Sequence, residues 1–187
     1  ERYFNQVENM ELTDGFSEHL IRTVMKNAKI LKEDPENYNA RAEVMWAGSL
    51  AHNGLMGCGT DGGDWASHQL EHELGGMFDV AHGAGLAAVW GSWARYVMDA
   101  RPERFAQFAQ VEQGEDVAKT AQKGIEAMED FYRSIDMPVS IQELGVTLTE
   151  EQIKELADKC SFYEKRTIGC VKKLDREDIY KIYQAAR

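Results

Sequence analysis

Residues 64–83 read DWASHQLEHELGGMFDVAHG, and the way this stretch folds decides both the architecture and the chemistry of the chain. A helix is expected from about Trp65 to Leu74, stopped by Gly75-Gly76, with the next helix opening near His82-Gly83. That second helix continues through Leu86, Val89, Trp90, Trp93 and Val97. Working outward, helical periodicity covers nearly the whole chain. Thr13-Asp14 has the form of a helix cap ahead of Phe16, Leu20, Val24 and Leu31. After Asp34-Pro35, a run from about Asn39 to Met56 is apolar around most of its circumference, which predicts a buried helix. Further helices are expected near 103–111 and 115–134, from Thr149 toward Cys160, and over 176–187. The Thr149…Gln152 pair has the capping-box pattern. Strand and hairpin signals are almost absent. The expected fold is all-α, a single helical domain over residues 1–187.

Composition bounds the partners. The net charge of −11 argues against nucleic acid and anionic membranes, which need clustered Lys and Arg. No apolar run approaches the roughly 20 residues of a membrane span. Cys58, Cys160 and Cys170 are odd in number and follow no CxxC spacing, so free thiols and a cytoplasmic location are expected. The opening Glu1-Arg2-Tyr3-Phe4 has no initiator Met and no cap, and reads as a start inside a structural element.

Three of the 5 histidines fall between Asp64 and Gly83. On a helix His68 and His72 lie one turn apart on one face, with Cβ atoms about 5–6 Å from each other. A turn after Gly75-Gly76 can bring His82 back toward His68. Converging imidazoles suit Zn, Fe, Ni or Cu. A helix-face histidine is equally at home bonded to a carbonyl in a core, so spacing alone leaves both readings standing. His19 and His52 stand apart and read as structural.

Two further patterns compete. Gly57, Gly59 and Gly62 fit G-x-G-x-x-G, but dinucleotide binding needs a strand before the turn, and a buried helix precedes this one. His68-Gln69-Leu70-Glu71-His72 has the H-x-x-E-H form of an inverted zinc-peptidase motif, with His68 and His72 on zinc and Glu71 as general base. That reading gives His82 no task. A non-catalytic helical module with structural histidines is the third alternative.

The segment from Glu33 to about Arg95, with EDPENYNARAEVMWAGSLAHNGL followed by GGDWASHQLEHELGGMFDVAHG and an Ala/Trp-rich helix, resembles the iron-dependent (group III) alcohol dehydrogenases. It is most similar to their butanol-dehydrogenase branch, as is the ending IYKIYQAAR. The resemblance implies the helical, bundle-like C-terminal domain of the iron-dependent alcohol dehydrogenase/dehydroquinate synthase-like fold, without the N-terminal α/β nucleotide-binding domain. It implies a divalent metal, Fe(II) or alternatively Zn, with His68 and His82 among its ligands. His72 then corresponds to a residue beside the nicotinamide and substrate, catalytic and cofactor-contacting. The family's Asp and first His, in a D-x-x-x-H arrangement, would precede Glu1.

The implied reaction of the full-length enzyme is reversible hydride transfer between NAD or NADP and a metal-polarised small aliphatic alcohol or aldehyde, such as butanol or butyraldehyde. His72 would relay the proton, a task suited to imidazole. The nicotinamide would be bound mainly by the missing domain, and the full-length protein is expected to be a homodimer. The 187-residue chain alone is expected to be inactive, with weak or no metal binding, because half the ligand set is absent.

Overall fold

The computed structural model describes residues 1–109 and 116–187, and its described elements are helical. The only β pairing among the described residues is an isolated bridge between Ile168 and Leu174. The chain falls into two compact units, Glu1–Gly63 and Asp64–Arg187. Among the described residues, no helix is long and apolar enough to cross a membrane.

The first unit is a helical hairpin of α1 (Glu11–Glu33) and α2 (Tyr38–His52), followed by a 3₁₀ turn, Leu55–Gly57. The Asn37 side chain caps α2 by accepting from the Ala40 N–H at 3.1 Å. The start of α1 differs from expectation. Met10 occupies the cap position, Asp14 lies inside the helix, and the Thr13 hydroxyl donates instead to the Cys58 carbonyl at 3.0 Å. The expectation for α2 also needs correcting. Only Ala40 and Ala47 are buried along it, whereas Met45 and Trp46 are 68% and 63% exposed. Two small residues seven apart lie on one helix face and permit close packing, so the bulky side chains are left to point outward. The glycine-rich loop follows a helix rather than a strand, as expected, with Gly59 and Gly62 at positive φ.

The second unit contains α3 (Ala66–Phe78), α4 (His82–Val97), α5 (Pro102–Ala109), α6 (Val117–Ser134), α7 (Glu150–Cys160) and α8 (Arg176–Ala186). A 3₁₀ turn, Met98–Ala100, follows α4. The expected ends of α5 and α6 at 110, 111 and 115 lie outside the described residues. Helix α3 does not stop at Gly75-Gly76; it runs to Phe78 and is closed by Asp79 in the left-handed conformation. Glycine weakens a helix interior by only about 1 kcal/mol, a cost that does not by itself end a helix.

Helix α4 is the core element, packed by α3, α6 and α8. Its Ala87, Ala88, Val89, Trp90, Gly91, Trp93, Ala94 and Val97 are all buried, the pattern of a helix apolar on every side. Trp93 is fully buried with its ring 6.1 Å from that of Phe105. The Thr149–Gln152 capping box of α7 is present as expected, with Gln152 N–H donating to Thr149 Oγ1 at 3.2 Å and Thr149 N–H to Gln152 Oε1 at 2.8 Å. Helix α8 has a second box, Asp175 with Asp178.

One polar pair is set directly against α4. Glu129 of α6 is 7% exposed and takes both Arg95 guanidinium nitrogens at 2.6 Å. Its carboxylate fits because residue 91 has no side chain: a Cβ there would come within 2.0 Å of Glu129 Oε1. Gly91→Ala must therefore displace a buried ion pair, and a loss of about 1–3 kcal/mol is expected from the urea midpoint. The substitution Arg95→Gln should lessen that penalty, because the carboxylate is then less firmly held.

Burial also governs the alkaline limit. It raises the Tyr183 hydroxyl well above its ordinary 10.0 and pushes the Cys160 thiol from 9.0 up to about 12. Burial, and then the 2.6 Å bond to Asp178, push Tyr96 from 10.0 up to about 12. These groups stay neutral in the fold at pH values where the unfolded chain releases their protons. The stabilisation is whole below the unfolded values and is lost as pH rises toward the folded ones. A steep fall in melting temperature, followed by circular dichroism, is expected between pH 9 and 12, and a shallower one in Tyr96→Phe.

Candidate metal centre

Helix α3 carries His68 and His72, and its placement is fixed by three long-range anchors. Ahead of it, Asp64 is fully buried: Oδ1 accepts from Ala66 N–H at 2.9 Å, and Oδ2 accepts from the N–H groups of Cys170 and Val171 at 2.7 and 2.9 Å. Within the helix, the Tyr183 hydroxyl donates to the Leu70 carbonyl at 2.6 Å and the Cys160 thiol to the Gln69 carbonyl at 3.4 Å. Carbonyls at a histidine-bearing turn are thus tied to α7 and α8. Local patterning carries no sign of these anchors, because each joins residues 91 or more positions apart.

A three-residue link, Asp79–Ala81, turns the chain into α4, whose first residue is His82. The three histidines converge as expected. Ring centroids lie 5.2 Å apart for His68–His82, 5.8 Å for His72–His82 and 6.0 Å for His68–His72. The Trp65 ring stands edge-on to His68 at 4.9 Å. His72 and His82 are exposed and His68 half-buried. His52 is remote in sequence, its Nδ1 within 3.1 Å of the Gly48 carbonyl.

The structure adds a fourth group. Glu71 is 2% exposed, and its Oε2 meets Nδ1 of His82. Donor atoms of Glu71, His72 and His82 all lie within 4.8 Å of one another. Glycine makes room here too: a Cβ on Gly85 would come within 2.7 Å of Glu71 Cγ and 2.9 Å of Oε1. In this orientation Glu71 meets His82 on the next helix and not the solvent side. The carboxylate instead turns inward to α4. Periodicity placed Glu71 beside the histidines but carried no sign of where its side chain points.

This constellation lies in a chain that matches, over residues 1–187, the C-terminal part of the Fe-containing alcohol dehydrogenase family. The chain belongs to that family. Among curated relatives of this dehydrogenase-family chain, it is 34% identical over its full length to the probable NADH-dependent butanol dehydrogenase 1 of Bacillus subtilis, of which it covers 48%. It is 31% identical to NADH-dependent butanol dehydrogenase A of Clostridium acetobutylicum, with 98% of the chain and 48% of the relative covered. Its backbone superposes on the crystal structure of NADH-dependent butanol dehydrogenase A from Thermotoga maritima with a TM-score of 0.90 and 35% identity, again over 98% of this chain and 48% of that one. The chain therefore spans about half the length of these relatives. The helical fold is the one the resemblance implied.

The residues present suit a metal ion of the kind the family name specifies. A metal–nitrogen bond of about 2.1 Å puts an imidazole centroid about 3.2 Å from the ion, so two rings meeting at a tetrahedral angle stand about 5.2 Å apart. The His68–His82 spacing agrees with that value, and donor atoms of His72 and Glu71 lie within 4.8 Å of those of His82.

Because Gly85 admits the Glu71 carboxylate, Gly85→Ala should push that side chain off His82. A thermal unfolding scan is expected to show a loss of about 1–3 kcal/mol, with a shift of the His82 ring resonances in ¹H–¹⁵N spectra. An unshifted His82 would separate the glycine from the pair.

Proposed function

We propose that this chain is the metal-holding helical half of an NAD(P)-dependent alcohol/aldehyde oxidoreductase, with His68 and His82 as metal ligands. The observation that carries the reading is the 5.2 Å convergence of those two rings from separate helices. The names of the relatives, NADH-dependent butanol dehydrogenases and an NADPH-dependent aldehyde reductase of Escherichia coli, support small aliphatic alcohols and aldehydes as substrates. A divalent metal, Fe(II) or Zn, supplies Lewis-acid polarisation of the substrate oxygen when bound.

The chain's own residues then have distinct tasks. His68 and His82 hold the ion from α3 and from the first turn of α4. His72 is one helical turn beyond His68, exposed, with its ring 5.8 Å from that of His82. From there it can contact nicotinamide and substrate and exchange the hydroxyl proton. The remaining ligands, and most of the NAD or NADP site, belong to the other half of the full-length enzyme, which we take to be a cytoplasmic homodimer.

Metal analysis of the full-length protein tests this assignment. Stoichiometric metal should be lost in His68→Ala and His82→Ala and retained in His72→Ala. The last variant should lose activity about 10²–10⁴-fold, as expected for a missing proton-transfer group. Metal retained without His68 or His82, or lost without His72, would overturn it. The isolated 187-residue chain should bind metal weakly or not at all and show no oxidation of NADH or NADPH with butyraldehyde.

A further inference from the structure

Glu71 is buried beside exposed histidines, and its surroundings explain what it does there. A buried carboxylate persists only where its charge is met by partners. One partner is Nδ1 of His82. Another is the first turn of α4, whose N-terminal end carries partial positive charge and which Gly85 opens to the carboxylate at a would-be Cβ distance of 2.9 Å from Oε1. Gly75, on α3 itself, faces the same oxygen at 3.2 Å by the same measure. Oε2 is thus engaged by His82, and Oε1 is enclosed between two helices.

An imidazole binds metal through a bare nitrogen, and the group on its other nitrogen decides which one is bare. A carboxylate only accepts hydrogen bonds, so Nδ1 of His82 must carry the hydrogen that Glu71 receives. Nε2 is left with its lone pair. His82 has a half-exposed side chain at 53%, against 2% for Glu71, so the ring is gripped from the interior while its rim remains accessible. Its place at the first residue of α4 gives the ring no helical turn ahead of it to pack on, so an outside group must set its angle.

We propose that Glu71 is a positioning residue for metal binding: its buried carboxylate takes the Nδ1 hydrogen of His82 and thereby fixes the ring and its tautomer with Nε2 offered to the metal. This rests on the reading above that His82 is a ligand. Glu71 does not itself touch metal or substrate. The Glu of the H-x-x-E-H pattern acts here on a histidine that lies outside the pattern.

The test uses the full-length protein with Zn(II) and Co(II) as probes. In chelator competition, Glu71→Gln and Glu71→Ala should each bind Zn(II) about 10–100-fold more weakly than wild type, still at one ion per chain. Their Co(II) visible spectra should keep the wild-type band shape, because the ligand set is unchanged. In ¹⁵N-histidine spectra of the metal-free wild type, His82 should be protonated at Nδ1, and Glu71→Ala should lose that preference. The tautomer readout needs no variant to fold, and a merely structural role for Glu71 would shift melting temperature without moving it. Unchanged affinity in both variants, or His82 protonated at Nε2 in wild type, overturns the proposal. A Co(II) spectrum altered in Glu71→Gln also overturns it, by making Glu71 a direct ligand. A wild-type protein that binds no metal, or a His82→Ala variant of full affinity, would instead refute the metal assignment itself.

Discussion

Two carboxylates are lodged against one buried helix, and the second unit is organised around how α4 accommodates them. The helix is apolar on nearly all sides, so burying it drives the packing of α3, α6 and α8 around it. An all-apolar rod would slide and rotate among its neighbours with little to choose between registers. Gly85 and Gly91 break that degeneracy. Each opens a notch one side chain deep, and each notch is occupied by an acid from a different helix: Glu71 from α3 and Glu129 from α6. The acids in turn engage His82 and Arg95, both on α4. A carboxylate in the wrong place in such a core would be left with an unmet charge, so the notches act as registration marks. One of the contacts that order the core also holds the His82 ring.

The division between what the sequence showed and what it hid follows from the range of the forces involved. Helix positions were legible because 3.6-residue periodicity and caps such as Thr149–Gln152 are local. The His68–His72 relation was legible for the same reason. The end of α3 was not: Gly75-Gly76 read as a stop, whereas the helix runs on to Phe78 and is closed by Asp79 in the left-handed conformation. Nothing local marked Asp64, because its partners, Cys170 and Val171, are more than a hundred residues away. Helix α2 misled in the opposite direction. Its composition suggested full burial, but hydrophobic composition does not say which side of a helix meets a neighbour, and Ala40 and Ala47 took that side.

The histidine cluster shows how pattern and geometry can assign one residue differently. Read along the chain, Glu71 belongs with His68 and His72 as the acid of a peptidase motif. Read in space, it belongs with His82, eleven positions on and on another helix. The difference is a side-chain torsion, which no spacing rule records. Family membership gives the setting in which these residues lie, and the carboxylate direction gives Glu71 its partner within it.

The anchors on α3 also have a bearing on when this geometry can exist. Its turn at Gln69 and Leu70 is held by side chains at 160 and 183, and its leading acid by backbone at 170 and 171. A ribosome extends the chain at about 5–20 residues per second, so the histidine-bearing segment emerges several seconds before the last of its braces. Until Tyr183 has cleared the exit tunnel, α3 has its own hydrogen bonds but not the tertiary ones that fix its pose. The imidazoles are therefore made early and organised late, once the segments carrying Cys160, Cys170, Val171 and Tyr183 have followed them out.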